Sequence, residues 1–191
     1  MTKPEADELK NDVTWKVYAV VPSVLAIHTS VPVTNLTETQ ILDVYAGRIT
    51  NWAQLGGPDA RIVVLTRNEA DANKRAWRVH LKGFRDLPET REALMLVKDQ
   101  QMLDALKHQP YSIGFTDTIA VANGDGKLRA LAVNGIAPTP ENARSGRYRI
   151  LKEFVVVTKG EPRGLARSFV DLLFSAEGQR VIARLGAVPV R

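Results

Sequence analysis

The stretch that decides the fold is residues 36–67, LTETQILDVYAGRITNWAQLGGPDARIVVLTR. Thr37 and Gln40 have the spacing of a capping box, which predicts the start of an amphipathic helix. Gly47 is typical of the residue that ends such a helix. The Gly56–Asp59 segment indicates a turn, and the apolar run after it predicts a strand. The stretch therefore predicts a helix followed by a strand.

The same alternation of helix and strand continues on both sides of this stretch. A strand is predicted over residues 15–21 and is continued by residues 23–27 after Pro22. Further strands are predicted over residues 61–65, 112–115, 128–133 and 154–157. Further helices are predicted over residues 4–11, 71–82, 89–97, 99–107, 162–174 and 176–185, with one helical turn in the loop 138–146. Strands that alternate with helices predict an α/β fold with mainly parallel strand pairing.

Composition excludes several classes of protein. The chain has 191 residues, of which 45 % are hydrophobic and 25 % charged, as expected of a folded domain. It has no cysteine, which excludes disulfide scaffolds, thiolate zinc sites and cysteine nucleophiles. We find no apolar run long enough to span a membrane and no signal-peptide pattern in MTKPEADELKND.

The net charge is +5, and the excess of basic residues lies toward the C-terminus. Residues 142–191 hold ten basic and four acidic side chains, a net of +6, whereas residues 1–12 hold two and four, a net of −2. These basic residues are spread among apolar helix positions, and no aromatic residue interleaves with them as a base-stacking surface requires. The pattern argues against nucleic acid and favours a solvated face or attraction for a small anion.

No common catalytic motif is present. His28, His80 and His108 are far apart and lack the spacing of metal ligands. The sequence has no nucleophile elbow, no P-loop and no dinucleotide-binding glycine motif. We therefore expect no catalytic residue, no metal and no cofactor, and a protein that is not an enzyme.

One strand–loop–helix junction suggests a binding site. The strand RIVVLTR ends at Arg67, and the Asp71–Asn73 segment leads into the next predicted helix. The first N–H groups of a helix are free to bind an anion, and an arginine adds a forked donor for an oxyanion. A structural role is the alternative, in which Asp71 caps the helix and Arg67 pairs with Glu69.

Several segments of the chain match the patterns of one family. They are Leu36–Glu38, Ile41, Tyr45–Trp52, Leu55–Asp59, Ser112–Phe115, Asn134–Asn142, Gly146, Tyr148, Val157–Gly160, Phe169, Ser175–Gln179 and Gly186–Pro189. In this order they resemble the phosphate-type periplasmic binding proteins, which are the solute-binding components of phosphate ABC transporters. The similarity extends over nearly the whole chain.

The resemblance implies a fold of two α/β lobes, the type II periplasmic-binding-protein fold, with the N-terminal part of lobe one absent. Lobe one would contain residues 1–23, lobe two residues 24–118, and residues 119–191 would return to lobe one. The hinge would lie near Val20–Leu25. The resemblance further implies a periplasmic or otherwise extracytoplasmic monomer that delivers a small oxyanion to the membrane subunits of an ABC transporter.

The ligand loop departs from the family pattern, in which an arginine is followed by Ser-Gly-Thr. The resemblance implies a ligand site at Arg67, Asp71, Ala72 and Asn73. A carboxylate about 4 Å from a singly charged anion is repelled by about 4 kcal/mol at an effective dielectric near 20. Asp71 would therefore turn away, cap its helix or accept a proton from the oxyanion.

The same departure leaves other functions open. The pocket could take a different solute, or the chain could be a ligand-sensing or protein-interaction domain of the same fold with a degenerate pocket. The effector domain of a transcription regulator is a weaker alternative. The most direct prediction remains a phosphate-binding protein of an ABC transporter.

Overall fold

A computed structural model describes residues 13–190, which form nine strands and seven α-helices. The strands are β1 Val13–His28, β2 Asn35–Leu36, β3 Val63–Arg67, β4 Leu94–Leu96, β5 Ser112–Asp117, β6 Leu128–Ala130, β7 Ala132–Val133, β8 Leu151–Lys159 and β9 Val188–Pro189. The helices are α1 Glu38–Tyr45, α2 Ala72–His80, α3 Asp99–His108, α4 Thr118–Ala122, α5 Pro140–Arg144, α6 Leu165–Phe174 and α7 Ala176–Arg184. The α/β class is confirmed, and the helix predicted over 4–11 lies outside the described residues.

Strand β1 connects two parts of the molecule. Its N-terminal part pairs antiparallel with β8 and β9, and its C-terminal part pairs antiparallel with β5 and β6. We call residues 23–150 the large half, and residues 13–22 together with 151–190 the small half. The predicted lobe boundary at residue 118 precedes β6 and β7, which pair with strands of the large half.

The sheet of the large half has the strand order β4-β3-β5-β1-β6. Strand β3 is parallel to β4 and β5, and the two-residue strands β2 and β7 also pair in parallel. Because parallel strands end at the same edge of a sheet, the loops after β3 and β5 lie on one side of the large half. Helix α2 begins at that edge.

An aromatic cluster fills the core of the large half. The ring of Tyr45 lies 4.8 Å from that of Phe115 and 5.3 Å from that of Phe84, measured between centroids. Trp77 of α2 contacts Phe115 at 6.2 Å, so the cluster fixes α1 and α2 against the sheet. Rings at these separations pack favourably edge-on or tilted, beyond the gain from burying their area.

The small half has a much smaller core. Its hydrophobic cluster contains four buried residues, Ala19, Val21, Ile182 and Ala187. Helix α6 has no buried residue, and its Leu165 is 89 % exposed although the helix is amphipathic. The apolar side of α6 therefore contributes little to the packing of residues 13–190.

One predicted helix is wrong. Residues 89–97 form a loop followed by β4, whose residues 94–96 pair in parallel with residues 65–67 of β3. The Thr90 amide donates to the Tyr45 carbonyl at 2.7 Å, which holds the start of this segment extended beside α1. Tertiary pairing outweighs a helical pattern of only nine residues.

Candidate functional site

The candidate site lies where β3 ends and α2 begins. Asp71 stands immediately before α2, and its Oδ1 accepts a hydrogen bond from the Lys74 amide at 2.9 Å. The capping role considered for Asp71 is therefore confirmed. As the first two residues of the helix, Ala72 and Asn73 have amides with no acceptor inside it, so the positive end of the helix is formed here.

Arg67 lies at the end of β3, is 5 % exposed and is already paired with carboxylates. Its Nε and Nη2 donate to Asp71 Oδ2 at 3.0 and 2.8 Å, and Nη2 also donates to Asp99 Oδ1 at 2.7 Å. The predicted pairing of Arg67 with Glu69 is wrong. Glu69 instead contacts Lys74 and Arg78.

Two buried polar atoms at this junction have no hydrogen-bond partner. They are Nη1 of Arg67 and Oδ1 of Asn73. Asn73 is itself 5 % exposed, and its carbonyl accepts from the Ser23 hydroxyl at 3.3 Å. An unpaired buried donor costs free energy, so the unpaired Arg67 nitrogen favours an acceptor from a ligand.

A second ion cluster lies beside the first. Lys74 is 2 % exposed, and its Nζ donates to the Arg67 carbonyl and contacts Glu69 and Glu89, each at 2.8 Å. Burial by itself raises the pKa of Glu69, but hydrogen bonds from Arg78 and Lys74 outweigh it and lower that pKa below its ordinary value. Sequence reasoning missed this cluster, because nothing in the pattern of α2 marks Lys74 as buried.

A cleft of about 500 Å³ separates α2 from β8 and begins beside Ala72. Its charged lining residues are Arg75, Arg149, Lys152 and Glu153, a net charge of +2. His80 also lines the cleft, and its pKa is lowered by burial and by Arg149, with a smaller opposing effect of Glu153. The cleft therefore attracts anions toward the start of α2.

The two halves meet beside this cleft. At the crossing, the buried Ser23 accepts a hydrogen bond from the Tyr148 hydroxyl at 2.7 Å, and its amide donates to the Ile150 carbonyl at 2.9 Å. Lys152 of β8 pairs with Asp117 at the end of β5. The Lys152–Asp117 pair joins the two halves, and the Ser23 hydrogen bonds fix the start of the large half. All of these contacts lie close to the predicted hinge at Val20–Leu25.

The most recognisable sequence motif has a structural role. Asn51 caps a 3-10 helix over Trp52–Leu55, and the buried Trp52 indole donates to the Tyr111 carbonyl at 2.8 Å. A side chain at Gly57 would come within 3.0 Å of Trp52. The motif therefore fixes the fold of the large half and lies outside the junction at Arg67.

Within residues 13–190, no group of acidic or histidine side chains is arranged to hold a metal ion. In the same residues, no helix is long and apolar enough to cross a membrane.

The fold and this junction define a class of ligand-binding α/β protein with two halves around a cleft. The chain belongs to the PBP superfamily, since the model of the PBP superfamily domain matches residues 3–177.

Individual relatives agree with this assignment. The chain is similar to the phosphate-binding protein PstS of Borreliella burgdorferi, with 25 % identity over 97 % of this chain and 69 % of that protein. It is also similar to PstS of Bacillus subtilis, with 27 % identity over 90 % of this chain and 56 % of that protein. The chain therefore spans between about half and two thirds of the length of these two relatives.

A solved structure is similar along the whole chain. It is a candidate phosphate ABC transporter substrate-binding protein from Clostridium perfringens with bound phosphate. The identity is 28 %, the TM-score is 0.89, and the match covers 100 % of this chain and 77 % of that one.

Proposed function

We propose that this protein is the solute-binding component of a phosphate ABC transporter, located outside the cytoplasm and without enzymatic activity. It captures phosphate or a related oxyanion and presents it to the membrane subunits of the transporter. The observation that carries the proposal is the buried Arg67, which has an unpaired Nη1 at the start of α2. Relatives named for phosphate, one with phosphate bound, share the fold.

The ligand site has three sources of positive charge. Arg67 supplies a guanidinium with one unpaired nitrogen. The amides of Ala72 and Asn73 supply donors at the positive end of α2, and the basic cleft raises the local concentration of anions. Asp71 does not need to contact the anion, because its two oxygens are used by Arg67 and by the cap.

Ligand binding would then bias the arrangement of the two halves. The cleft has α2 of the large half on one side and β8 of the small half on the other. An anion that contacts both walls stabilises the closed arrangement of the two halves.

One observation favours a second function, a sensing or protein-interaction domain with a degenerate pocket. Arg67 is neutralised by Asp71 and Asp99 within the protein itself. An arginine that is already paired has less to gain from a ligand. Under this alternative the junction is a structural ion cluster and phosphate does not bind.

Calorimetric titration and thermal unfolding with inorganic phosphate test the proposal, with sulfate at matched ionic strength as control. Phosphate at a hundred times its dissociation constant should stabilise the folded protein by about 2.7 kcal/mol. A response to phosphate that sulfate does not reproduce supports the proposal, and a flat response to both supports the second function.

The variant Arg67→Ala sharpens the test. We expect it to weaken phosphate binding by more than about tenfold, because a charged hydrogen bond is removed from a buried site. The substitution also leaves Asp71 unpaired, which lowers the Tm by itself. The quantity to compare between variant and wild type is therefore the rise in Tm that phosphate causes. Arg48→Ala is the matched control, since Arg48 is an exposed arginine paired with Asp43.

A further inference from the structure

The two carboxylates that contact Arg67 are held in different ways. The Asp71 side chain is 6 % exposed and uses both oxygens, one for Arg67 and one for the cap of α2. The Asp99 side chain comes from the first residue of α3, is 83 % exposed and contacts Arg67 through Oδ1. Asp71 is thus part of the fold, whereas Asp99 can leave Arg67 and return to water.

The charge at the junction makes this difference relevant to binding. Arg67 with Asp71 and Asp99 carries a net charge of −1, which opposes the approach of an anion to Nη1. Removal of Asp99 from Nη2 brings the net charge to zero and frees one N–H of Nη2, which keeps its hydrogen bond to Asp71. Since the Asp99 carboxylate is 83 % exposed, it stays hydrated when it leaves Arg67, and Arg67 keeps its pair with Asp71, so the release costs little.

We propose that Asp99 is a built-in competitor of the ligand: it occupies Nη2 of Arg67 in the free protein and is displaced when the anion binds. Asp99 thereby sets the affinity of the site without contacting the ligand. The inference rests on the proposed function, since it assigns a role at the same arginine.

Displacement of Asp99 is the favoured route because Asp71 has no equivalent freedom. Release of Asp71 would leave the Lys74 amide without its cap and a buried carboxylate without its partner. Release of Asp99 leaves the start of α3 in place, because the Gln101 side chain also accepts from the Lys98 amide there at 3.0 Å. The two acids therefore have different roles: Asp71 orients the guanidinium of Arg67, and Asp99 competes with the ligand for it.

The test compares Asp99→Asn with Asp104→Asn, using inorganic phosphate as the probe. Asp104 is an exposed acid on the same helix whose Oδ1 accepts from Gln100, so its substitution changes the net charge equally. We expect Asp99→Asn to bind phosphate about three to ten times more tightly than the wild type by calorimetry, with Asp104→Asn close to the wild type.

Two further measurements separate competition from a structural effect. The Tm of Asp99→Asn without phosphate should stay close to that of the wild type, because Asp99 is 83 % exposed and Arg67 keeps its buried partner Asp71. The gain in affinity should shrink as the ionic strength rises from about 0.05 M to about 0.5 M, since salt screens the charge of Asp99.

The outcomes are distinguishable. The inference is supported if Asp99→Asn binds phosphate more tightly than the wild type and Asp104→Asn does not. The support is strongest if the wild type binds phosphate weakly. Equal affinity of wild type and Asp99→Asn overturns the competition and leaves the proposed function standing. An equal gain in Asp104→Asn also overturns it, as a general effect of charge. Failure of wild type and Asp99→Asn alike to bind phosphate overturns both.

Discussion

At the scale of single residues, the charged groups around α2 show how a buried cation is tolerated. The Lys74 ammonium donates to Thr66 Oγ1 at 3.1 Å and to the Arg67 carbonyl at 2.8 Å, in addition to its contacts with Glu69 and Glu89. A buried charge is costly unless it is both paired and hydrogen-bonded. The cluster meets both conditions and links α2 to the loop that contains Glu89.

We therefore expect Lys74→Met to destabilise the protein by up to about 3 to 5 kcal/mol, because the buried Glu89 would lose its shorter ion pair and keep only Arg78 as a cation. Chemical unfolding monitored by circular dichroism measures the change. Lys82→Met, at an exposed lysine, is the control and should change the free energy of unfolding by less than about 0.5 kcal/mol. Equal effects of the two substitutions would show that the Lys74 cluster contributes nothing to stability.

A second prediction at this scale concerns Asp71. Asp71→Ser keeps a good helix cap but removes the carboxylate that occupies two nitrogens of Arg67. We expect phosphate affinity to rise and the free energy of unfolding to fall by about 1 to 3 kcal/mol, since Arg67 becomes a buried cation with fewer partners. Calorimetry and chemical unfolding measure the two effects, and unchanged affinity would confine Asp71 to its capping role.

The site itself could be only partly predicted from the sequence. Arg67, Asp71 and the start of α2 are consecutive in the chain, so local patterns place them together. Asp99 lies 32 residues after Arg67 and reaches it only through the pairing of β3 with β4 just before α3. Because residues 89–97 are predicted as a helix, the sequence cannot place Asp99 beside Arg67.

At the scale of elements, local sequence signals predict the ends of helices better than they predict which strands pair. Thr37 forms the expected capping box with Gln40, and Gly47, with φ of +76°, follows the end of α1. Strand β1 continues through Pro22, as predicted, but the sequence does not show that β8 pairs with it through that residue. Such long-range pairing leaves no trace in the local pattern.

Helix α6 provides a prediction for this scale. It has no buried residue, and Leu165 and Phe169 are 89 % and 57 % exposed. Since the local free energy of opening follows the apolar area that an element buries, we expect the amides of α6 to exchange faster than those of α2. Hydrogen exchange measured by mass spectrometry or NMR tests this order.

The comparison with α7 gives the control. Helix α7 packs Ile182 into the core of the small half, so its protection should be intermediate between those of α6 and α2. Protection of α6 as strong as that of α2 would mean that its apolar side is covered in solution.

At the scale of the whole molecule, the two halves share one strand and one cleft. Strand β1 carries backbone pairing from β8 and β9 to β5 and β6, and Ser23 is the first residue of its large-half part. A change in the angle between the halves therefore bends the backbone near Ser23 and alters the width of the cleft.

The last prediction concerns pH and belongs to the cleft between the halves. His80 of α2 faces Arg149 and Glu153 from the segment around β8, and Arg75 also lines this cleft. Burial and Arg149 lower the pKa of His80 below its ordinary value of 6.5, so the unfolded chain binds this proton more readily than the folded protein. Between the lowered pKa and about 6.5, the free energy of unfolding should therefore rise with pH.

The direction of this pH dependence is checked by measuring the free energy of unfolding of the wild type and of His80→Asn across this pH range, without phosphate. The free energy of unfolding of the variant should depend less on pH than that of the wild type. Toward the acid end of the range, the variant should therefore gain stability relative to the wild type. A bound anion in the cleft would favour the charged imidazole, so phosphate should raise the pKa of His80 in an NMR titration. A pKa of His80 that phosphate leaves unchanged would place the bound anion away from this wall of the cleft.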